Sequence, residues 1–305
     1  MKNSKALGIS CIIGTTICYG LVPSLSFLAF RVGVATETLL FNKFLYAAIL
    51  MWIFILARKV NFRFDKKSAL IMAVVCVSYI GLATTLYCAF DYISGSLATI
   101  VSFTFPAIII AIEMISGREP VRIMKILAVI LSMAGLVLIV WSPDIKGNIV
   151  GIAFAFGTAL CYVAYLFGLG SRSLKKQDSF AVSGYVLLSS AVFNGFRCGL
   201  SGHKMFALEP RQFLLMILLA VVCAFLAILM YAMGVKMIGP GNAALINTFE
   251  PVLACIFGFL LVGDVLTHKM LIGAAMVVAA VLIANLPSKK DREGTGPEDP
   301  AAADQ

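Results

Sequence analysis

Residues 7–19 read LGISCIIGTTICY, and residues 150–162 read VGIAFAFGTALCY, with two glycines, a threonine, a cysteine and a tyrosine at matching positions. A second pair of stretches follows at nearly the same separation, ISGSLATIVSFTFPAI at 93–108 and IGPGNAALINTFEPVL at 238–253. Two matching blocks at a nearly constant offset indicate that the second half of the chain repeats the first.

Both repeats consist of long apolar blocks. Of the 305 residues, 61% are hydrophobic and 13% are charged, whereas a soluble domain has about half apolar and about a quarter charged residues. The blocks have about the length that a helix needs to cross roughly 30 Å of hydrocarbon, where each span must satisfy its own backbone hydrogen bonds. We therefore predict an all-α integral membrane protein with ten transmembrane helices at 6–28, 37–57, 69–90, 95–116, 123–141, 149–170, 180–200, 211–235, 240–262 and 269–286.

The ten predicted spans divide equally between the repeats. We predict one five-helix repeat over 1–145, a second over 146–287, and a disordered cytoplasmic tail over 288–305, which is too polar to order itself. Because five is odd, the two repeats must enter the membrane in opposite senses. Inverted repeats are typical of secondary transporters, in which two related halves exchange conformations.

The cationic residues predict the orientation. Of the 24 Lys and Arg residues, seventeen fall on one side of the predicted spans, six fall on the other, and Lys43 lies inside the second span. Positive loops stay inside, so we predict a multi-pass protein of the cytoplasmic membrane with both termini in the cytoplasm. Because the cations lie in alternate loops, a nucleic-acid-binding face is excluded despite the net charge of +9.

The repeated stretches quoted above resemble those of the EamA-type members of the drug/metabolite transporter superfamily. The resemblance covers roughly residues 6–286. Lys43 in the second span, Glu119 after the fourth and Asp264 after the ninth also fit, although Arg118 and Asp264 depart from the usual Gly-Glu pair. The resemblance implies ten helices in two inverted repeats, with spans three, four, eight and nine lining a central cavity. It also implies a cargo of metabolites, amino acids, nucleotide sugars or drugs.

Glu250 is the strongest candidate for function. It lies in the middle of the ninth span, where a carboxyl costs at least about 2.5 kcal/mol and should face a cavity or a partner. Pro251 follows it and interrupts the helix, and Pro106 occupies the equivalent depth in the fourth span. Two interrupted helices at matching depth point to a binding site. Glu250 either binds a substrate ammonium, carries a proton, or caps the backbone freed by the kink.

Other candidates for substrate binding or coupling are polar and aromatic side chains inside the spans. They are Asn247 and its repeat partner Ser102, the related pairs Tyr19 with Tyr162 and Tyr87 with Tyr231, and Lys43. For each, an alternative stays open: interhelical hydrogen bonding for Asn247 and Ser102, packing for the tyrosines, and snorkelling or pairing with Glu37 for Lys43. Glu113, near Arg118, is interpreted as part of a local ion pair.

The sequence favours a transporter over an enzyme. It has no HExxH zinc motif and no Gly-x-Ser-x-Gly elbow, and its eight cysteines show no metal-binding spacing, so we expect no metal or other cofactor. We predict a secondary transporter that moves a small metabolite, an amino acid or related amphipathic solute, by alternating access, with export favoured. Drugs, nucleobases and choline-like amines remain alternative cargoes, a channel or a membrane scaffold remains an alternative function, and a homodimer is left open.

Overall fold

A computed structural model describes most of the chain. The described residues are 2–90, 92–93, 98, 101–116, 123–140, 148–206, 209–263 and 267–284. All regular secondary structure within these ranges is helical. The predicted tail over 288–305 and the acidic positions Glu119 and Asp264 lie outside the described residues.

The helices of the first half are α1 (Lys2–Arg31), α2 (Thr36–Ala57), α3 (Lys66–Phe90), α4 (Phe105–Ile115) and α5 (Ile123–Val140). Those of the second half are α6 (Ile149–Leu169), the short α7 (Arg172–Lys175), α8 (Ser179–Ser201), α9 (Pro210–Ala220), α10 (Ala227–Ile238), α11 (Pro240–Asn247), α12 (Glu250–Phe257) and α13 (His268–Ala284). A π-helical turn, Val221–Leu226, joins α9 to α10, and another, Gly258–Val262, follows α12.

Seven helical segments are long and apolar enough to cross a membrane, and three shorter apolar helices accompany them in the described part of the chain. The seven are Lys5–Arg31, Thr36–Ala57, Lys66–Leu86, Ile149–Leu169, Ser179–Ser201, Pro210–Ile238 and Pro240–Val262, and the three are Phe105–Ile115, Ile123–Leu138 and His268–Ala280. The protein is therefore a multi-pass, all-helical membrane protein. A total of ten crossings stays a prediction.

Helices of the first half pack against helices of the second. The main pairs are α1 with α10, α3 with α6, α2 with α8, and α5 with α13, and α1 also packs on α12. In the α5–α13 pair, Gly135 lets the two helix backbones approach closely, because a Cβ added at Gly135 would lie 2.6 Å from the Gly273 carbonyl oxygen. The interior at the centre of this bundle includes the fully buried aromatic side chains of Tyr165, Tyr231 and Phe105.

Candidate functional site

The ninth predicted span is broken in its middle. Helix α11 ends at Asn247, Thr248 and Phe249 form a turn, and α12 begins at Glu250. Pro251 causes the break, because it has no N–H to donate to the carbonyl one turn earlier. Glu250 therefore occupies the first turn of α12, where the helix dipole stabilises a negative charge.

The fourth predicted span has an equivalent break. Phe103 and Thr104 form a turn immediately before α4, and Pro106 is the second residue of that helix. Both breaks thus fall at repeat-related positions, and each ends two residues before a proline. In α4, however, Phe105 occupies the position that Glu250 has in α12.

Asn247 is the centre of a polar cluster that joins four helices, α1, α6, α11 and α12. Its side chain is fully buried, and its Nδ2 donates to Glu250 Oε2 at 2.9 Å and to the Tyr162 hydroxyl at 3.3 Å. The Thr16 hydroxyl, 3.3 Å from Asn247 Oδ1, also bonds the Ile12 carbonyl one turn earlier. The amide therefore has hydrogen-bond partners on both of its ends.

Aromatic rings surround this cluster. Tyr162 stacks on Phe105 with ring centroids 4.1 Å apart, and Tyr231 contacts Tyr162 at 6.4 Å and Tyr19 at 5.9 Å in edge-to-face geometry. Tyr165 packs on Tyr231 at 6.1 Å. The Tyr165 hydroxyl is buried and has no hydrogen-bond partner among the described residues. Aromatic side chains thus pack around the hydrogen-bonded cluster that contains Glu250.

Three members of this centre keep accessible surface. Glu250, Tyr19 and Tyr162 are only partly buried, although each lies far from the ends of its span. Space next to a carboxylate and two aromatic rings at mid-span is the feature expected of a solute site.

Lys43 places a cation in the interior of the same bundle. Only 7% of its side chain is exposed, and its Nζ lies 5.3 Å from the ring centroid of Phe44. Lys43 and Glu250 are both described residues, and no ion pair within 4.0 Å joins them. Glu37, the other partner considered from the sequence, lies instead 3.6 Å from His203.

Ser102, one of the sequence candidates, is not hydrogen-bonded to the Asn247 cluster. Ser102 is buried, and its hydroxyl donates to the backbone carbonyl of Ala155 at 3.3 Å, so it links the fourth predicted span to α6. Tyr87 belongs to α3, but its side chain lies outside the described residues. Sequence reasoning also missed Thr16 and Tyr165, which the fold brings to the centre.

Glu113 forms a second buried acidic contact, at one end of the bundle. Its side chain is 7% exposed, and its Oε1 accepts a hydrogen bond from the Gly241 N–H at 3.1 Å. This bond joins α4 to the first turn of α11, where a helix has free N–H groups and positive potential. The Arg118 considered as its ion-pair partner lies outside the described residues.

We expect Gly241→Ala to destabilise the protein by about 2 kcal/mol, the usual cost of an extra methyl in a packed interior. The new Cβ would overlap the Glu113 carboxylate, and thermal unfolding in detergent measures the effect. Truncation by Glu113→Ala makes room for that methyl, so the double variant should lose less stability than the two single variants added together. Strict additivity would contradict the contact.

Two related halves are also found when the chain is compared with known proteins by sequence, because one family profile matches each half. The sequence profile described as the EamA-like transporter family matches twice, over residues 6–141 and 149–286. The chain belongs to this family. It is therefore a membrane transporter, and the family assignment points away from an enzyme.

Relatives of the EamA-like chain carry transporter names without a stated cargo. An uncharacterized transporter of Archaeoglobus fulgidus is 30% identical over 190 residues, covering 62% of this chain and 66% of the relative. The uncharacterized transporter YcbK of Bacillus subtilis is 23% identical over 91% of this chain and 92% of its own. A protein of known crystal structure shares the fold, with a TM-score of 0.78 at 16% identity over 93% of this chain and 97% of the other.

The described residues offer no group of three His, Cys, Asp or Glu side chains that would hold a metal ion. The eight cysteines are free thiols.

Proposed function

We propose that the protein is a secondary carrier that moves a small zwitterionic metabolite, an amino acid or a close relative, across the cytoplasmic membrane by alternating access, in the direction of export. The observation that carries this proposal is the Glu250–Asn247–Tyr162 cluster at the break of the ninth span. A carboxylate is expensive in the bilayer interior. A carboxylate next to accessible aromatic rings can bind a cationic group of a solute, which offsets that cost.

The inverted repeat is part of the proposal. If the five spans of one half are exchanged with the five of the other, the contact of spans one and eight becomes that of spans six and three. The contacts of spans two with seven and of five with ten return to themselves. These are the pairs α1–α10, α3–α6, α2–α8 and α5–α13, so the packing is compatible with a two-fold axis between repeats over 1–145 and 146–287. Rocking about this axis would expose the centre to each side in turn.

Lys43 favours a zwitterion over a simple amine. In this proposal Glu250 would supply a negative charge for an ammonium group, and Lys43, which is buried in the same bundle, would supply a positive charge for a carboxylate. A ligand with only a cationic group would leave Lys43 without compensation in a low-dielectric environment, which is unfavourable. The rings of Tyr19, Tyr162 and Tyr231 would then contact the remainder of the solute.

Counterflow in proteoliposomes tests this function. Vesicles holding the full chain and loaded with an unlabelled amino acid should accumulate the labelled form, with saturable kinetics. In Lys43→Gln, the ratio of flux of a decarboxylated amine to flux of the parent amino acid should rise by about tenfold, because one charge-assisted contact is lost. Flux that does not saturate would indicate a channel, and an unchanged ratio would exclude Lys43 from carboxylate recognition.

A further inference from the structure

Two loops place an unusual concentration of positive charge at one end of the bundle. The loop between α2 and α3 and the segment between α6 and α8 lie at the same end, because Phe54 stacks on Phe180 at 4.8 Å and α7 packs on α3. Eight exposed cations lie in these two loops and the residues bordering them: Arg58, Lys59, Arg63, Lys66, Lys67, Arg172, Lys175 and Lys176.

The negative charges of these loops are engaged locally. Asp178 Oδ1 accepts a hydrogen bond from the Phe180 N–H at 2.7 Å and caps α8. A hydrogen bond from Ser68 holds the pKa of the Asp65 carboxyl below its ordinary value at the start of α3. These two carboxylates are the only ones in the two loops. The excess of cations is therefore not neutralised by neighbouring side chains of the loops.

The loop over residues 58–65 is fixed so that its cations point outward. Its Phe62 and Phe64 rings pack edge-on against Trp52 at 5.6 Å and Tyr185 at 5.2 Å, and the Tyr185 hydroxyl donates to the Phe62 carbonyl at 3.3 Å. Arg63, between these two partly buried phenylalanines, is exposed. An aromatic belt of this kind is typical of the membrane interface, at the depth of lipid headgroups.

Lys59 occupies a position where a lysine is costly. Hydrogen bonds from Lys59 N to Leu56 O at 3.2 Å and from Val60 N to Ile55 O at 3.0 Å close α2 in a Schellman motif. Lys59 takes the left-handed residue of that motif with φ of 52°, which glycine adopts without steric cost. Lys59 therefore carries backbone strain. Its side chain is exposed and adds one positive charge to this end of the bundle.

We propose that this basic end, defined by the eight cations above, binds the headgroups of anionic phospholipids in the adjacent leaflet. Lys and Arg near a membrane surface attract anionic lipid, and guanidinium groups bind phosphate oxygens in pairs. Arg58 is well placed for this, because its guanidinium carbon lies 5.0 Å from the Phe54 ring centroid at the end of a span. The inference concerns the membrane partner of the protein and is independent of the solute that it carries.

The test compares lipid binding by the full chain and by matched variants. Native mass spectrometry gives the affinity of detergent-purified protein for phosphatidylglycerol and for phosphatidylcholine. The basic-end variant is Arg58→Gln, Arg63→Gln, Lys67→Gln. The control carries Arg31→Gln, Lys204→Gln, Arg211→Gln, three exposed cations at the opposite end. A third variant, Lys59→Gly, removes one charge and relieves the backbone strain.

Wild type and control should prefer phosphatidylglycerol equally, and the basic-end variant should bind it at least about tenfold more weakly. Lys59→Gly should unfold at the same or a higher temperature, because its backbone strain is gone, yet bind phosphatidylglycerol more weakly. Equal binding by the basic-end variant, equal loss in the control, or unchanged affinity in Lys59→Gly would overturn the proposal. Displacement of the lipid by millimolar glycerol phosphate would overturn it too, because a free anion would then suffice.

Discussion

We expect Glu250→Gln to reduce transport by about 100-fold, the effect of removing one charge-assisted contact of about 3 kcal/mol from a buried site, and to leave the fold intact. The amide has nearly the shape of the carboxyl, and its oxygen can still accept the hydrogen bond that Asn247 Nδ2 donates at 2.9 Å. The structural role of Glu250 therefore survives in the variant, and its charge does not. Initial rates in proteoliposomes, with thermal unfolding of the same preparation, measure both quantities.

Two further measurements make this prediction decisive. If Glu250 carries the coupling proton, the residual flux of Glu250→Gln should lose the pH dependence that wild-type flux shows. Glu37→Gln is the matched control, because that carboxyl lies 3.6 Å from His203 at the end of α2, away from the Asn247 cluster. Full transport with an unchanged pH profile in Glu250→Gln would show that the carboxyl is structural.

Asn247→Leu should lower both stability and transport, stability by about 2 kcal/mol and transport by at least about tenfold, because it leaves buried polar partners unsatisfied. Leucine fills a similar volume but bonds neither Glu250, Tyr162 nor Thr16. The Glu250 carboxylate would then remain in the interior without its amide donor. Thermal unfolding in detergent and counterflow in vesicles report the two losses separately.

The control for Asn247→Leu lies on the same helix. The Asn242 side chain donates at 2.8 Å to the Ile238 carbonyl, one turn earlier, and makes no contact with the Glu250 cluster. Asn242→Leu should therefore change transport by less than about twofold, as expected for a substitution outside the site. Equal losses at positions 242 and 247 would mean that the amide of Asn247 has no special role.

The sequence predicted the long apolar helices and the family, because hydropathy and the repeat are properties of the chain itself. It also named Asn247 and Glu250 as candidates, and the structure joins their side chains by a hydrogen bond across the turn at Thr248 and Phe249. The sequence did not predict which side chains from distant segments would contact each other. Thr16 joins the cluster from α1, yet its counterpart in the second repeat is Ala159, so repeat symmetry gave no signal for it.

Symmetry was also an incomplete guide for the first half. Ser102 corresponds to Asn247, but the serine hydroxyl bonds the Ala155 carbonyl and the asparagine bonds Glu250. A repeat relates backbones, whereas each side chain bonds whatever its own neighbours offer. Glu113 shows the same limitation, because its partner Gly241 lies 128 residues away and no local pattern indicates that a carboxylate there will cap α11.

The buried Lys43 has a consequence for biosynthesis. When α2 leaves the ribosome, the helices of the second half that will enclose its ammonium group do not yet exist, and an isolated lysine at a helix centre costs about 2.5 to 3.5 kcal/mol during insertion. The 14 residues that follow, 44–57, are all hydrophobic, so the nascent helix can enter the bilayer despite that lysine. The ammonium group then stays in the lipid or at its surface until α8 and the π-helical turn after α9 have been synthesised. These two segments pack on α2 in the folded protein.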